Sequence, residues 1–314
     1  MPTGGRESTT CSRSASARTS HLNHLYATAA AMVAFAANSL LCRLALEQAH
    51  IDAASFSLVR VLAGTLTLAA LVLPEYLRNT VTPSVIQYAQ PHISLRSAVA
   101  LSAYLVCFSF AYISLGAATG ALILFGAVQF TMFCAALLGG ERFSAIAWMG
   151  FGIAAAGVVY LLLPGVSAPD ALGTVLMVSA GVAWGWYSLL GRGTKEPLLA
   201  TGVNFLVATP IVACIALVSW GFVTDATPGA SGPHANLTGL GLAIASGAIA
   251  SGVGYAIWYA ALRKLPTSVA AVVQLSVPVI AAIGAVLALS EPMTLRLCLA
   301  SIAVLGGIAL AIRQ

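Results

Sequence analysis

Residues Leu265 to Leu289 form an uncharged apolar run of 25 residues, LPTSVAAVVQLSVPVIAAIGAVLAL, that stops on Ser290-Glu291-Pro292. At about 1.5 Å of rise per residue, a helix of this length crosses the hydrocarbon of a bilayer with some tilt. The same design stands 150 residues earlier, where Leu115 to Leu138 run into Gly139-Gly140-Glu141-Arg142. An ungapped comparison of 111–163 with 261–313 gives seven identities: Ala111/Ala261, Leu115/Leu265, Ala121/Ala271, Ala135/Ala285, Leu137/Leu287, Glu141/Glu291 and Gly157/Gly307. Apolar run, acidic turn, second apolar run and late glycine all fall in register. The chain is built twice.

Only 7% of the 314 residues are charged and 60% are hydrophobic, against a charged share of about 25% in soluble domains. Such a chain cannot cover itself with polar surface, so an all-α polytopic membrane protein is expected. Ten spans are predicted: 25–46, 54–73, 97–115, 118–138, 145–163, 171–191, 199–221, 237–262, 266–289 and 293–312. Residues 1–24, rich in Ser, Thr and Arg without an apolar stretch, are expected to be a disordered cytoplasmic tail.

The net charge of +5 is read loop by loop, and no nucleic-acid partner is expected. With a cytoplasmic N-terminus, Arg6, Arg13, Arg18, Arg78, Arg96, Arg142, Arg192, Lys195, Arg263, Lys264 and Arg313 fall inside. Only Arg43, Arg60 and Arg296 lie toward the outside, as cytoplasmic loops concentrate Lys and Arg. Both termini are then cytoplasmic, and the repeats 25–163 and 164–314 carry five spans each. An odd number of crossings per repeat inverts the second against the first. Inverted repeats are typical of secondary transporters, whose substrate site lies near the midplane between the halves. With both halves in one chain, a functional monomer is expected, with membrane lipids and a small-molecule substrate as its partners.

Several features resemble the drug/metabolite transporter superfamily, in particular its ten-helix members with two EamA-type repeats. They are Pro278-Val279 running to Glu291, the counterpart ending in Glu141, and the late glycines Gly157 and Gly307. Arg60 in span two, Trp184-Gly185 in span six and Tyr255…Trp258-Tyr259-Ala260-Leu262 in span eight complete the set. The resemblance covers about residues 25–312. It implies a multi-pass protein of the bacterial inner membrane, similar to exporters of aromatic and other amino acids, working by alternating access. The halves differ where the first has Val128 against Pro278, and span one has Phe35-Ala36 where a Trp-Gly step belongs.

No Asp or Glu falls mid-span, whereas proton- and sodium-coupled carriers keep a carboxylate in the membrane. A facilitative exporter of apolar amino acids is therefore the leading expectation. A proton-coupled exporter of drugs, quaternary amines or other metabolites is the alternative. Neutral polar and aromatic groups do occur at depth, and Asn38, Tyr104, Gln129, Trp184, Tyr255, Trp258, Gln274 and Ser276 are the substrate-binding candidates. Their blander reading is interhelical hydrogen bonding. Arg60 either grips a substrate carboxylate or, the favoured reading, snorkels outward or binds helix-end carbonyls. Arg43, nearer the boundary, reads as a gate or topology residue, and Pro278 and Pro210 as breaks or hinges.

Glu141 and Glu291 are expected to complement the start of the helix that follows each. Gly247-x3-Ser251 and Gly116-x3-Gly120 suggest tight helix packing. The scattered cysteines 11, 42, 107, 134, 214 and 298 suggest buried fillers, and the histidines 21, 24, 50, 92 and 234 all lie in tails or loops. Neither set has metal-ligand spacing, so no metal, no cofactor and no enzymatic activity are expected.

Overall fold

A computed structural model of the chain describes residues 7–79, 93–165, 168–192, 194–226, 232–262 and 273–312, with side-chain environments given outside 7–25, 75–79, 222–226 and 262. The described chain is helical throughout, apart from one isolated bridge between Ile51 and Ala235. The helices are α1 (Glu7–Glu47), α2 (Ala53–Asn79), α3 (Leu95–Ala111), α4 (Ala117–Leu138), α5 (Ala145–Leu162), α6 (Ala171–Leu190) and α7 (Pro197–Ala226). Helix α8 runs as Leu237–Ala245, a π-helical stretch Ser246–Val253 and Gly254–Leu262; α9 (Ser276–Leu289) and α10 (Leu295–Ile312) close the chain.

Eight of these helices are long and apolar enough to cross a membrane, while Leu95–Ala111 and Ser276–Leu289 are shorter apolar helices. The predicted span 97–115 is cut short because Tyr112 to Leu115 turn away from the helix. Part of the predicted span 266–289 lies outside the described residues. The rest is interrupted at Leu275, three residues before Pro278, where the missing proline N–H would have bonded to the Gln274 carbonyl. Helix α1 starts at Glu7 rather than Leu25, so the tail expected to be disordered is helical over 7–24. No Gly or Pro stands between Glu7 and Glu47 to stop a helix propagating backwards from its apolar part.

Local chemistry marks most helix starts. Side chains of Asp52, Ser94, Ser144, Asp170, Asn236 and Thr294 accept from the amides three residues on and begin α2, α3, α5, α6, α8 and α10. Helix α4 differs, because its cap is Gly116, which has no side chain to offer. It ends at Gly139 and turns through Gly140, whose φ of +85° suits glycine.

Packing partners exchange in pairs between the two halves. Helix α2 packs on α7 and α5 on α10; α3 packs on α6 as α8 does on α1; α4 packs on α6 as α9 does on α1. The α5–α10 pair is a close backbone approach: a Cβ on Gly150 would sit 2.5 Å from both the Gly307 carbonyl and the Ala311 amide. Gly157 meets Ala303 and Val304 at the same interface. The late glycines that matched in sequence thus serve one helix pair, through the small-residue packing that membranes favour.

At one end of the bundle the loops are tied across the halves. Asp52 accepts from the Ser55 and His234 amides at 2.9 and 3.0 Å and from Trp220 Nε1 at 3.2 Å. The Asn236 amide donates to the His50 carbonyl at 2.8 Å, and Ser114 Oγ donates to Asp170 at 2.9 Å. Among the described cysteine side chains only Cys42 is buried, and Cys134 and Cys214 are exposed, so the filler reading holds for one position and fails for two.

Candidate functional site

Where α1, α3, α4, α6 and α8 meet, a small cavity is lined by Phe35, Asn38, Tyr104, Trp184, Ser251 and Tyr255, among others. It holds about 20 Å³ open to the centre of a water molecule, space for about one. The rings form a continuous wall. Trp184 stacks on Tyr255 at 5.2 Å between centroids and lies 4.9 Å from Tyr104, and Phe35 meets Tyr255 edge-on at 5.6 Å.

A hydrogen-bond network lies against this wall. Ser246 Oγ donates to Asn38 Oδ1 at 2.6 Å, and Asn38 Nδ2 donates to the Tyr104 hydroxyl at 3.4 Å. Arg60 is fully buried; its Nη2 donates to the Tyr104 hydroxyl at 3.1 Å and, with Nε, to Ser251 Oγ at 3.4 Å. Its guanidinium carbon lies 4.8 Å from the centre of the Phe108 ring and 5.3 Å from that of Tyr104, within cation–π range. Arg60 neither snorkels nor reaches helix-end carbonyls, which corrects the favoured structural reading. It stays inside because α8 supplies a hydroxyl.

The π-helical stretch explains how. Its i→i+5 bonding stacks residues five apart, which brings Ser246 and Ser251 to one face, one on Asn38 and the other on Arg60. Gly247, between them, lets α8 press against the Arg60 backbone carbonyl and Ala63. The Gly247-x3-Ser251 pattern therefore packs as expected, and Ser251 also carries a site contact that its spacing alone did not signal.

Of the eight binding candidates, Asn38, Tyr104, Trp184 and Tyr255 line the cavity together. Trp258 is buried one ring behind, edge-on to Phe35 at 6.0 Å. Gln129, Gln274 and Ser276 do not line it. The Gln129 amide nitrogen is buried without a partner on α4, and Ser276 Oγ bonds back to the Val273 carbonyl at 2.7 Å. Pro278 is buried in α9 and likewise away from the cavity. Phe35, Phe108, Ser246 and Ser251 were missed. Only the apolar ring of Phe35, one turn from Asn38, could have flagged the first.

Arg43 and Glu291 form a second constellation at the tied end. Glu291 accepts from the Ala117 and Ala118 amides at 2.7 and 3.4 Å, and pairs with Arg43 Nε at 3.6 Å. Arg43 also donates to the Tyr112 and Ile113 carbonyls at 3.1 and 3.2 Å and to Glu47 at 3.0 Å. Glu291 thus caps α4 of the other half, not the helix that follows it; Thr294 already caps α10. The Gly116-x3-Gly120 pattern has a different cause from the one expected. Gly116 admits the Glu291 carboxylate, and Gly120 admits the Tyr112 ring.

Residues 23–163 and 171–313 each match the model of the EamA-like transporter family. The uncharacterized protein PA1977 of Pseudomonas aeruginosa is 48% identical over 288 residues, covering 91% of this chain and 93% of that protein. A crystal structure described only as that of a protein superposes with a TM-score of 0.58 at 17% identity, covering 90% of this chain and 95% of the other. The last likeness speaks to the fold alone.

Proposed function

The chain belongs to the EamA-like transporter family, a class of membrane transporters rather than enzymes, and from that premise we propose that it exports small apolar amino acids across a bacterial inner membrane. The observation that carries this reading is the cavity itself: an aromatic wall of Trp184, Tyr104 and Tyr255 beside an amide and hydroxyl network. Apolar walls with a few placed polar groups suit a zwitterion with an apolar side chain. Space for about one water is far too little for such a substrate, so the halves must part to admit it. The paired exchange of packing partners supports two inverted five-helix repeats rocking about this site, and the distribution of Lys and Arg supports placing both termini in the cytoplasm. The tied loops, with Arg43 and Glu291 among them, then form the outer closure.

Among the described residues, the carboxylates lie at helix ends or in loops, and Glu291 is engaged by two amides and an arginine. This favours facilitated export down the substrate's own gradient. Uptake of radiolabelled phenylalanine and leucine into liposomes holding the purified protein tests the reading. Saturable uptake, unaltered by an imposed pH gradient and reduced at least tenfold in Trp184→Ala, is expected. Uptake that requires the gradient would exclude facilitation, and no uptake of any amino acid would exclude the substrate class.

A further inference from the structure

Arg60 carries a full positive charge inside the bundle, and no carboxylate pairs with it among the described residues. A guanidinium does not give up its proton in a protein, and an unpaired charge at membrane depth is costly and kept for function. Among the described residues both ion pairs belong to Arg43, and Arg60 has none. Its contacts are two neutral hydroxyls and two ring faces. Its second terminal nitrogen, Nη1, is buried without any hydrogen-bond partner.

The groups around it add donors, not acceptors. The Tyr104 hydroxyl accepts from both Arg60 and Asn38, and the Ser251 hydroxyl accepts from Arg60. Neither donates its own proton to any partner among the bonds formed by the described residues. The Asn38 amide oxygen already accepts from Ser246, and no bond joins it to Arg60 among the described residues. Two hydroxyl protons and the N–H groups of Nη1 are thus left over; Tyr104 and Ser251 line the cavity, and Arg60, fully buried and not itself a lining residue, sits directly behind their hydroxyls. A surplus of donors around a lone cation fits a ligand that only accepts and carries negative charge. A carboxylate does both, with two oxygens and about four lone-pair sites.

We infer that Arg60, with Tyr104 and Ser251, is an anion-binding centre at which the substrate's carboxylate is recognised, so that the transported molecule must carry a carboxylate and need not carry an amine. This rests on the transporter reading and narrows its substrate class to small monocarboxylates with an apolar side chain, amino acids among them. A cationic amine would be repelled by Arg60 and find no carboxylate among the described residues that line the cavity.

Calorimetric titration of the purified full chain with L-phenylalanine, 3-phenylpropionate and phenethylamine tests the inference. Both carboxylates are expected to bind saturably, with phenethylamine at least tenfold weaker. Arg60→Gln should weaken both carboxylates at least tenfold and Arg60→Lys less. Should Arg60→Gln fail to fold, the ranking of the three ligands on the unaltered protein decides. Phenethylamine binding as tightly as 3-phenylpropionate, or no binding of either carboxylate, overturns the carboxylate centre. If 3-phenylpropionate binds but no amino acid is taken up by liposomes, the centre stands and the amino-acid reading falls. If phenylalanine is taken up while phenethylamine binds equally well, the transporter reading stands and the centre falls.

Discussion

Single side chains decide how the bundle ends are joined, and Asp52 shows it best. Burial pushes its carboxyl up, but hydrogen bonds from Ser55, the His234 amide and Trp220 together hold it below the usual carboxylate range. A depressed folded value means that the charged form stabilises the protein above the unfolded value of about 3.9, and that this stability is lost as pH falls through the folded value. Asp52→Ala is expected to cost about 1–3 kcal/mol at neutral pH, through the lost bonds to a charged acceptor. Thermal unfolding of the two proteins as a function of pH checks this, with the difference in midpoint shrinking below about pH 4. A difference that persists unchanged into acid would mean that the carboxylate's charge plays no part.

At the scale of helices, α4 is the element that cannot begin unaided. Its cap residue is a glycine, and the missing acceptor comes from Glu291, which follows α9 in the other half. The counterpart Glu141 is exposed and meets no such helix start among the described residues. Glu291→Ala should therefore lower stability by about 0.5–2 kcal/mol, the range for a lost helix cap, whereas Glu141→Ala should change it by less than about 0.5 kcal/mol. Thermal unfolding in one detergent compares them directly, and equal costs would deny the asymmetry. The same elements show why α8 is not a plain α-helix. Two serines five apart must face Asn38 and Arg60 together, and a π-helical stretch is the local geometry that achieves it.

For the whole molecule, the exchange of packing partners between halves and the loop ties at one end call for a defined orientation in the membrane. The proposed orientation, with both termini cytoplasmic, would put the loop holding His50 outside and the loop holding Arg192 inside. A single cysteine introduced as His50→Cys, in a chain with its native cysteines replaced by alanine, should react with a membrane-impermeant maleimide on intact spheroplasts. Arg192→Cys should react only after the membrane is opened. The reverse pattern would invert the orientation, and labelling of both on intact cells would break the even number of crossings.

Periodicity and charge determined a great deal about this protein. An apolar run long enough for a bilayer must be a helix there, because no water satisfies its backbone, so the number and placing of most helices were legible in the residues themselves. So was the duplication, since matched glycines and glutamates survive where a helix pair packs or a turn recurs. That Asn38, Tyr104, Trp184 and Tyr255 would meet at one cavity was legible too, because they are polar or aromatic groups at similar depth in different helices. Contacts between distant segments were not legible. That Arg60 stays buried depends on Ser251, 191 residues away, and that Glu291 caps α4 depends on a glycine 175 positions earlier, read from Gly116 to Glu291. Which of two equally polar residues faces a cavity is set by helix rotation, and rotation is fixed only when all the helices pack at once.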